Sequence, residues 1–90
     1  MREPVEAHYR VTFERIGRTH DVAPLDATVT APDEDHATRL AEAVYRYARR
    51  FLVSRDVDVH VDLNDNTVMI FCGFHTGGKG TVEVVDTVTA

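Results

Sequence analysis

Residues 32–54, PDEDHATRLAEAVYRYARRFLVS, hold the chain's single helical pattern, and that limits the fold more than anything else in the sequence. Ala37, Leu40, Ala41, Val44, Ala48, Phe51 and Leu52 recur at i, i+3 and i+4, which lays an apolar stripe along one side of a helix. Asp33 is placed to cap the start, and Glu34 and Asp35 sit in the first turn, where acids suit the helix dipole. Arg46, Arg49, Arg50 and Arg55 crowd the second half, where cations are favoured. About twenty residues at about 1.5 Å each predict about 30 Å of helix, enough to cross a small sheet. One helix can cover only one face of whatever sheet the remaining residues form.

Those remaining residues are strand-like. Tyr9, Val11 and Phe13 alternate with Arg10, Thr12 and Glu14 over residues 8–16, and Leu25, Ala27, Val29 and Ala31 form an apolar row over 25–31. Gly17, Asp21 and Pro24 mark a loop between them. After the helix, Val57, Val59, Val61 and Leu63 alternate with Asp58, His60 and Asp62, and residues 64–66, NDN, read as a turn. Residues 67–74, TVMIFCGF, follow as a strand, HTGGKG as a loop, and 81–88, TVEVVDTV, as a last β-branched strand. Residues 1–6 read as a tail. The order β-β-α-β-β-β predicts an α+β fold over residues 1–90, with one long helix packed on one face of a four- or five-stranded mainly antiparallel sheet. Ninety residues suit a single small domain, and 43% hydrophobic residues suffice for one core.

The strand at 67–74 is apolar on both faces. If Val68, Ile70 and Cys72 face the helix, Met69 and Phe71 lie on the open face; the reverse register exchanges the two sets. Either way apolar side chains remain on the uncovered side, where Val85 and Val88 of the last strand can join them. Exposed apolar patches mark interfaces, so Met69, Phe71, Val85 and Val88 are expected to meet a second copy of the chain, by sheet-to-sheet or edge-strand contact.

Charge and cysteine usage narrow the partners. Fifteen acids against ten bases give a formal net charge of −5, which disfavours nucleic acid and anionic membrane surfaces. The one cysteine, Cys72, allows no intramolecular disulfide and suits a reducing compartment. The first ten residues lack the apolar run of a signal peptide, and nothing approaches the roughly 18 apolar residues of a membrane helix. A cytoplasmic protein is expected. Nine arginines to one lysine, with abundant Val and Ala, suggest G- and C-rich codons, as in a high-GC bacterium or its phage.

Several motifs carry possible chemistry. Gly73 to Lys79 spell G-x-x-x-x-G-K, the opening of a phosphate-binding loop, although Gly80 stands where Ser or Thr would hold magnesium. Such a loop must feed a helix N-terminus, and the residues that follow, TVEVVDTVTA, are strand-like, so the segment reads as a Gly-rich hairpin loop. Asp58, His60 and Asp62 share one strand face at about 6.5 Å intervals, and with His75 they are weak metal-ligand candidates. A solvated sheet face, with His60 between two carboxylates, is the favoured reading of them. Cys72 and His75 form half a zinc site with no second half, and the apolar setting of Cys72 favours a simply buried thiol. Arg46, Arg49 and Arg50, with Lys79, are candidates to contact an anion or an acidic partner, while pairs such as Glu42 with Arg46 account for the helix arginines structurally. No catalytic set is complete and no cofactor is expected. The expected role is a non-enzymatic protein-interaction or regulatory module, a homodimer that also contacts another protein. Nucleic-acid binding through the helix arginines and the Gly-rich loop is the alternative.

Overall fold

A computed structural model of the chain describes residues 3–52, 56–73 and 75–89, with side chains described up to residue 87. Strand β1 is Val5–Ile16 and β2 is Leu25–Ala31. A short 3-10 turn at Asp33–Asp35 leads into helix α1, His36–Ala48, and then come β3 (Val57–Asp62), β4 (Thr67–Cys72) and β5 (His75–Thr89). The five strands form one antiparallel sheet in the order β2-β1-β5-β4-β3. This is the expected α+β fold, with one helix on a five-stranded sheet.

The helix is shorter than its sequence pattern. Its thirteen regular residues span about 20 Å, and Arg49, Arg50 and Phe51 continue as turns. That length still suffices, because five strands about 4.8 Å apart span only about 19 Å. β2 and β3 are the two edge strands, and α1 connects them and packs against both. The sheet therefore curls around the helix. Leu40, Val44 and Ala48 from α1 meet Val11, Phe13, Ile16, Val29, Ala31, Val68, Ile70 and Val82 in one buried core. Phe13 and Tyr47 stack at 5.7 Å between ring centres, and Phe51 meets Tyr47 edge-on. The β1–β2 loop folds into the same core through Val22, held by a hydrogen bond from the Tyr47 hydroxyl to the Ala23 carbonyl.

Two strand starts differ from the sequence reading. β1 starts at Val5, not residue 8, because Val5 and Glu6 pair with β2 on one side and β5 on the other. β5 starts at His75, so HTGGKG is not a loop. The turn from β4 to β5 is made around Gly73, which has a left-handed φ of 62°. Phe74, read from sequence as the end of the preceding strand, lies outside the described residues.

HTGGKG belongs to a strand because β5 runs through the middle of the sheet there. It pairs with β4 through Thr81 and with β1 along most of its length. A Cβ on Gly78 would come within 2.8 Å of the Arg15 carbonyl oxygen, and one on Gly80 within 2.8 Å of the Thr12 carbonyl oxygen. Glycine lets β1 and β5 close on each other in the most curved part of the sheet. Register shifts between Phe13 and Arg15 and between Ile70 and Phe71 add local twist at the same place.

Candidate functional site

β4 and β5 differ in length, and the candidate site follows from that. β4 has six residues and β5 has fifteen. The β4–β5 ladder ends at Thr67 opposite Thr81, and the Val82 N–H donates to the Asn66 carbonyl at 2.8 Å. Among the described residues, β5 pairs with β1 alone from Glu83 to Thr89. Its second side is an unpaired row of backbone donors and acceptors. This stretch also carries the exposed apolar surface. Val84 is 50% exposed and Val85 is 55% exposed, and among the described residues the only other exposed large apolar side chain is Tyr45 on the helix, at 39%.

Charges surround the same edge. Arg10 lies between Asp26 on β2 and Glu83 on β5 in one cross-strand row, and its Nε donates to Asp26 Oδ1 at 2.9 Å. That hydrogen bond, then the charge of Asp26, and more weakly that of Glu83, hold the guanidinium more firmly protonated than usual. In the next row His8 lies between Thr28 and Asp86, and the Thr28 hydroxyl is hydrogen-bonded to His8 Nδ1 at 2.9 Å. Val85 is the extra residue of a bulge between these rows, since Tyr9 opposes Val84 and His8 opposes Asp86. It stands beside His8, Arg10, Asp26 and Thr28 around a shallow surface depression.

The open face away from the helix is otherwise polar. Val68 and Ile70 are buried under the helix, and Met69 and Phe71 are half-buried on the opposite side. Their neighbours there are His60, Lys79, Asp58 and Thr76. Among the described residues, Met69 and Phe71 form a two-residue apolar island on the β4 part of this face. Val85 lies on a different part of the molecule from that island, and the side chain of Val88 is outside the described residues.

Asp58, His60 and Asp62 occupy the exposed side of edge strand β3. His60 Nε2 and Asp58 Oδ2 are 3.0 Å apart, and Phe71 meets the imidazole edge-on. Asp62 serves the turn instead: its Oδ1 accepts from the Asn64 and Asp65 N–H groups. Among the described residues no three of His, Cys, Asp and Glu converge as metal ligands. Cys72 is half-buried, with its Sγ filling the space above Gly77, and His75 is opposite it on β5. The G-x-x-x-x-G-K string leads into an extended strand with no helix N-terminus behind it, so the geometry of a phosphate loop is missing. Lys79 projects from the open face between Met69 and Arg15, whereas Arg46, Arg49 and Arg50 lie exposed at the end of the helix on the other side of the sheet. Arg50 lies over the Tyr47 ring at 5.9 Å.

Sequence reasoning passed over one polar group in the core. His36 is 1% exposed at the start of α1. Its Nε2 faces the carbonyl oxygens of Val5 and Ala31, each at 2.9 Å, and so carries the hydrogen. Its Nδ1 accepts from the Tyr9 hydroxyl at 2.7 Å. The imidazole thus ties together the starts of β1 and α1 and the end of β2. The spacing 36-40-44-48 was the available signal, because His36 continues the buried stripe of Leu40, Val44 and Ala48 by one turn.

Among the described residues no helix is long and apolar enough to cross a membrane. Comparison with protein-family models, with curated proteins and with solved structures gave no match.

Proposed function

We propose that the chain is a non-enzymatic protein-interaction module that accepts an extended segment of another chain along the free edge of β5. The observation that carries this reading is a coincidence in space. The unpaired backbone of Glu83–Thr89 and the exposed side chains of Val84 and Val85 are the same stretch. Strand addition satisfies the backbone groups and covers the valines in one event, which is how sheet edges capture peptides. The β3 edge lacks this combination, since Val57, Val59 and Val61 are half-buried against the helix; in β2, Val29 and Ala31 are buried outright. The Asp58–His60 pair stands in open solvent, and among the described residues no Ser, Thr or Cys is hydrogen-bonded to it, which supports a binding role over a catalytic one.

Amide hydrogen exchange of the isolated chain at low concentration tests the reading. The outward N–H groups between Val84 and Thr87 should exchange far faster than those of Val11 or Ile70. Slow exchange there in a chain shown to be monomeric by light scattering would mean its own residues cover the edge, and the reading would fall.

A further inference from the structure

Resting on that strand-addition reading, we propose that the segment accepted is basic: an extended stretch of another protein with Lys or Arg at two positions flanking one apolar residue. β1 is an internal template for such a strand. Its Arg10, Tyr9 and His8 oppose Glu83, Val84 and Asp86, so β5 already holds a basic–apolar–imidazole triplet on one side. The bulge at Val85 brings Glu83 and Asp86, three apart in sequence, opposite residues only two apart on the facing strand. A strand added to the other side meets the same two carboxylates with the same valines between them.

β1 does not fully compensate those carboxylates. Arg10 gives its Nε to Asp26, and the His8 ring is engaged with Thr28. Among the described residues neither Glu83 nor Asp86 has an ion-pair partner within 4.0 Å. The row Asp26–Arg10–Glu83 alternates in sign and stops at the edge on a negative charge. The next place in that row belongs to the incoming strand, where a base is favoured and an acid is repelled. The net charge of −5 adds a field of the same sign. A second copy fits this chemistry poorly. Its residues 82–89, VEVVDTVT, bring two acids and no base, so self-pairing sets one acidic edge against another.

The test uses the full chain and two capped synthetic heptapeptides, one alternating valine with lysine and the other alternating valine with glutamate. Peptide binding is followed by backbone amide shifts and by exchange protection of Val84–Thr87. The lysine peptide should bind and protect these amides, and the glutamate peptide should not. The double variant E83Q/D86N, which keeps side-chain shape, should weaken the lysine peptide about tenfold through loss of two cross-strand charge pairs. If both peptides bind alike, or the double variant binds the lysine peptide unchanged, the basic partner is overturned while strand addition survives. A dimer mass in light scattering, with these amides protected before any peptide is added, would make a second copy the occupant and also overturn it. If neither peptide binds and the amides of a monomer are protected, both readings fail together.

Discussion

Gly78 and Gly80 show how a single missing side chain sets the curvature of the sheet. At both positions the nearest obstacle to a Cβ is a backbone oxygen of β1, at 2.8 Å, and a backbone oxygen cannot swing aside. Gly78→Ala and Gly80→Ala should each destabilise the fold by about 1–3 kcal/mol, the usual cost of overpacking, as measured by urea denaturation. An unchanged denaturation midpoint for both would mean that β1 and β5 are not held this closely. Tyr9 offers a second residue-scale test, through pH. Burial, and then the nearby charge of Asp33, raise its phenol above the ordinary value of 10.0. The folded chain therefore keeps this proton more tightly than the unfolded one. Its contribution is fully present below pH 10.0 and is lost as pH rises through the folded value. Tyr9→Phe removes the hydroxyl that donates to His36 and should cost about 1 kcal/mol at neutral pH. It should also flatten the alkaline fall in stability. Urea midpoints for both proteins between about pH 8 and about pH 11 check the slope; parallel curves would show that Tyr9 does not control it.

At the scale of elements, the strands legible in the sequence were those whose partners imposed a two-residue alternation. β2 matches its pattern residue for residue, and β3 shows the alternate exposure that its valines and polar residues imply. The register of β4 was open in its pattern, which is apolar on both faces; packing under the helix buries Val68 and Ile70 and sets Met69 and Phe71 opposite. The first half of β5 was illegible for a physical reason. His75–Gly80 has loop composition, and only neighbours distant in sequence, Arg15, Thr12 and Ile70, make glycine the residue that fits there. The free edge of β5 was hidden likewise, since it depends on β4 stopping early and no local pattern encodes that. The turn between β3 and β4 is the opposite case, with its chemistry written in the local residues. Asp62 caps it, and Asn66 adopts a left-handed φ of 55°. Asn66→Ala should cost about 1 kcal/mol, because an ordinary L residue resists that conformation. Asn66→Gly should stay within about 0.5 kcal/mol of the parent, since glycine adopts it freely. Equal losses for Ala and Gly would show that the Asn66 side chain matters, not its backbone angle.

The whole molecule separates its basic groups by its layering. Helix and sheet form two layers, so side chains pointing away from the core on the helix and on the open sheet face point in opposite directions. Arg46 and Arg50 belong to the helix side and Lys79 to the sheet side. Around Lys79 the sheet offers Met69, Phe71 and one more base, Arg15, whose guanidinium already donates to the carbonyls of Gly17 and Thr76. On the helix, Arg39 is paired with Glu42 at 3.5 Å, and Arg50 lies against Tyr47. A nucleic acid engages proteins by meeting several phosphates on one continuous basic surface, and each phosphate neutralised steepens the dependence on salt. Among the described residues, the helix arginines and Lys79 lie on opposite faces of an acidic domain and do not join into one such surface. A short DNA duplex at low ionic strength should therefore bind no more tightly than the about 10⁻⁴ M of the weakest non-specific association, by fluorescence anisotropy. Arg50→Ala and Lys79→Ala should leave that weak signal unchanged. Tighter binding that both substitutions weaken would require one strand to reach both faces, and the division of charge by the two layers would then be wrong.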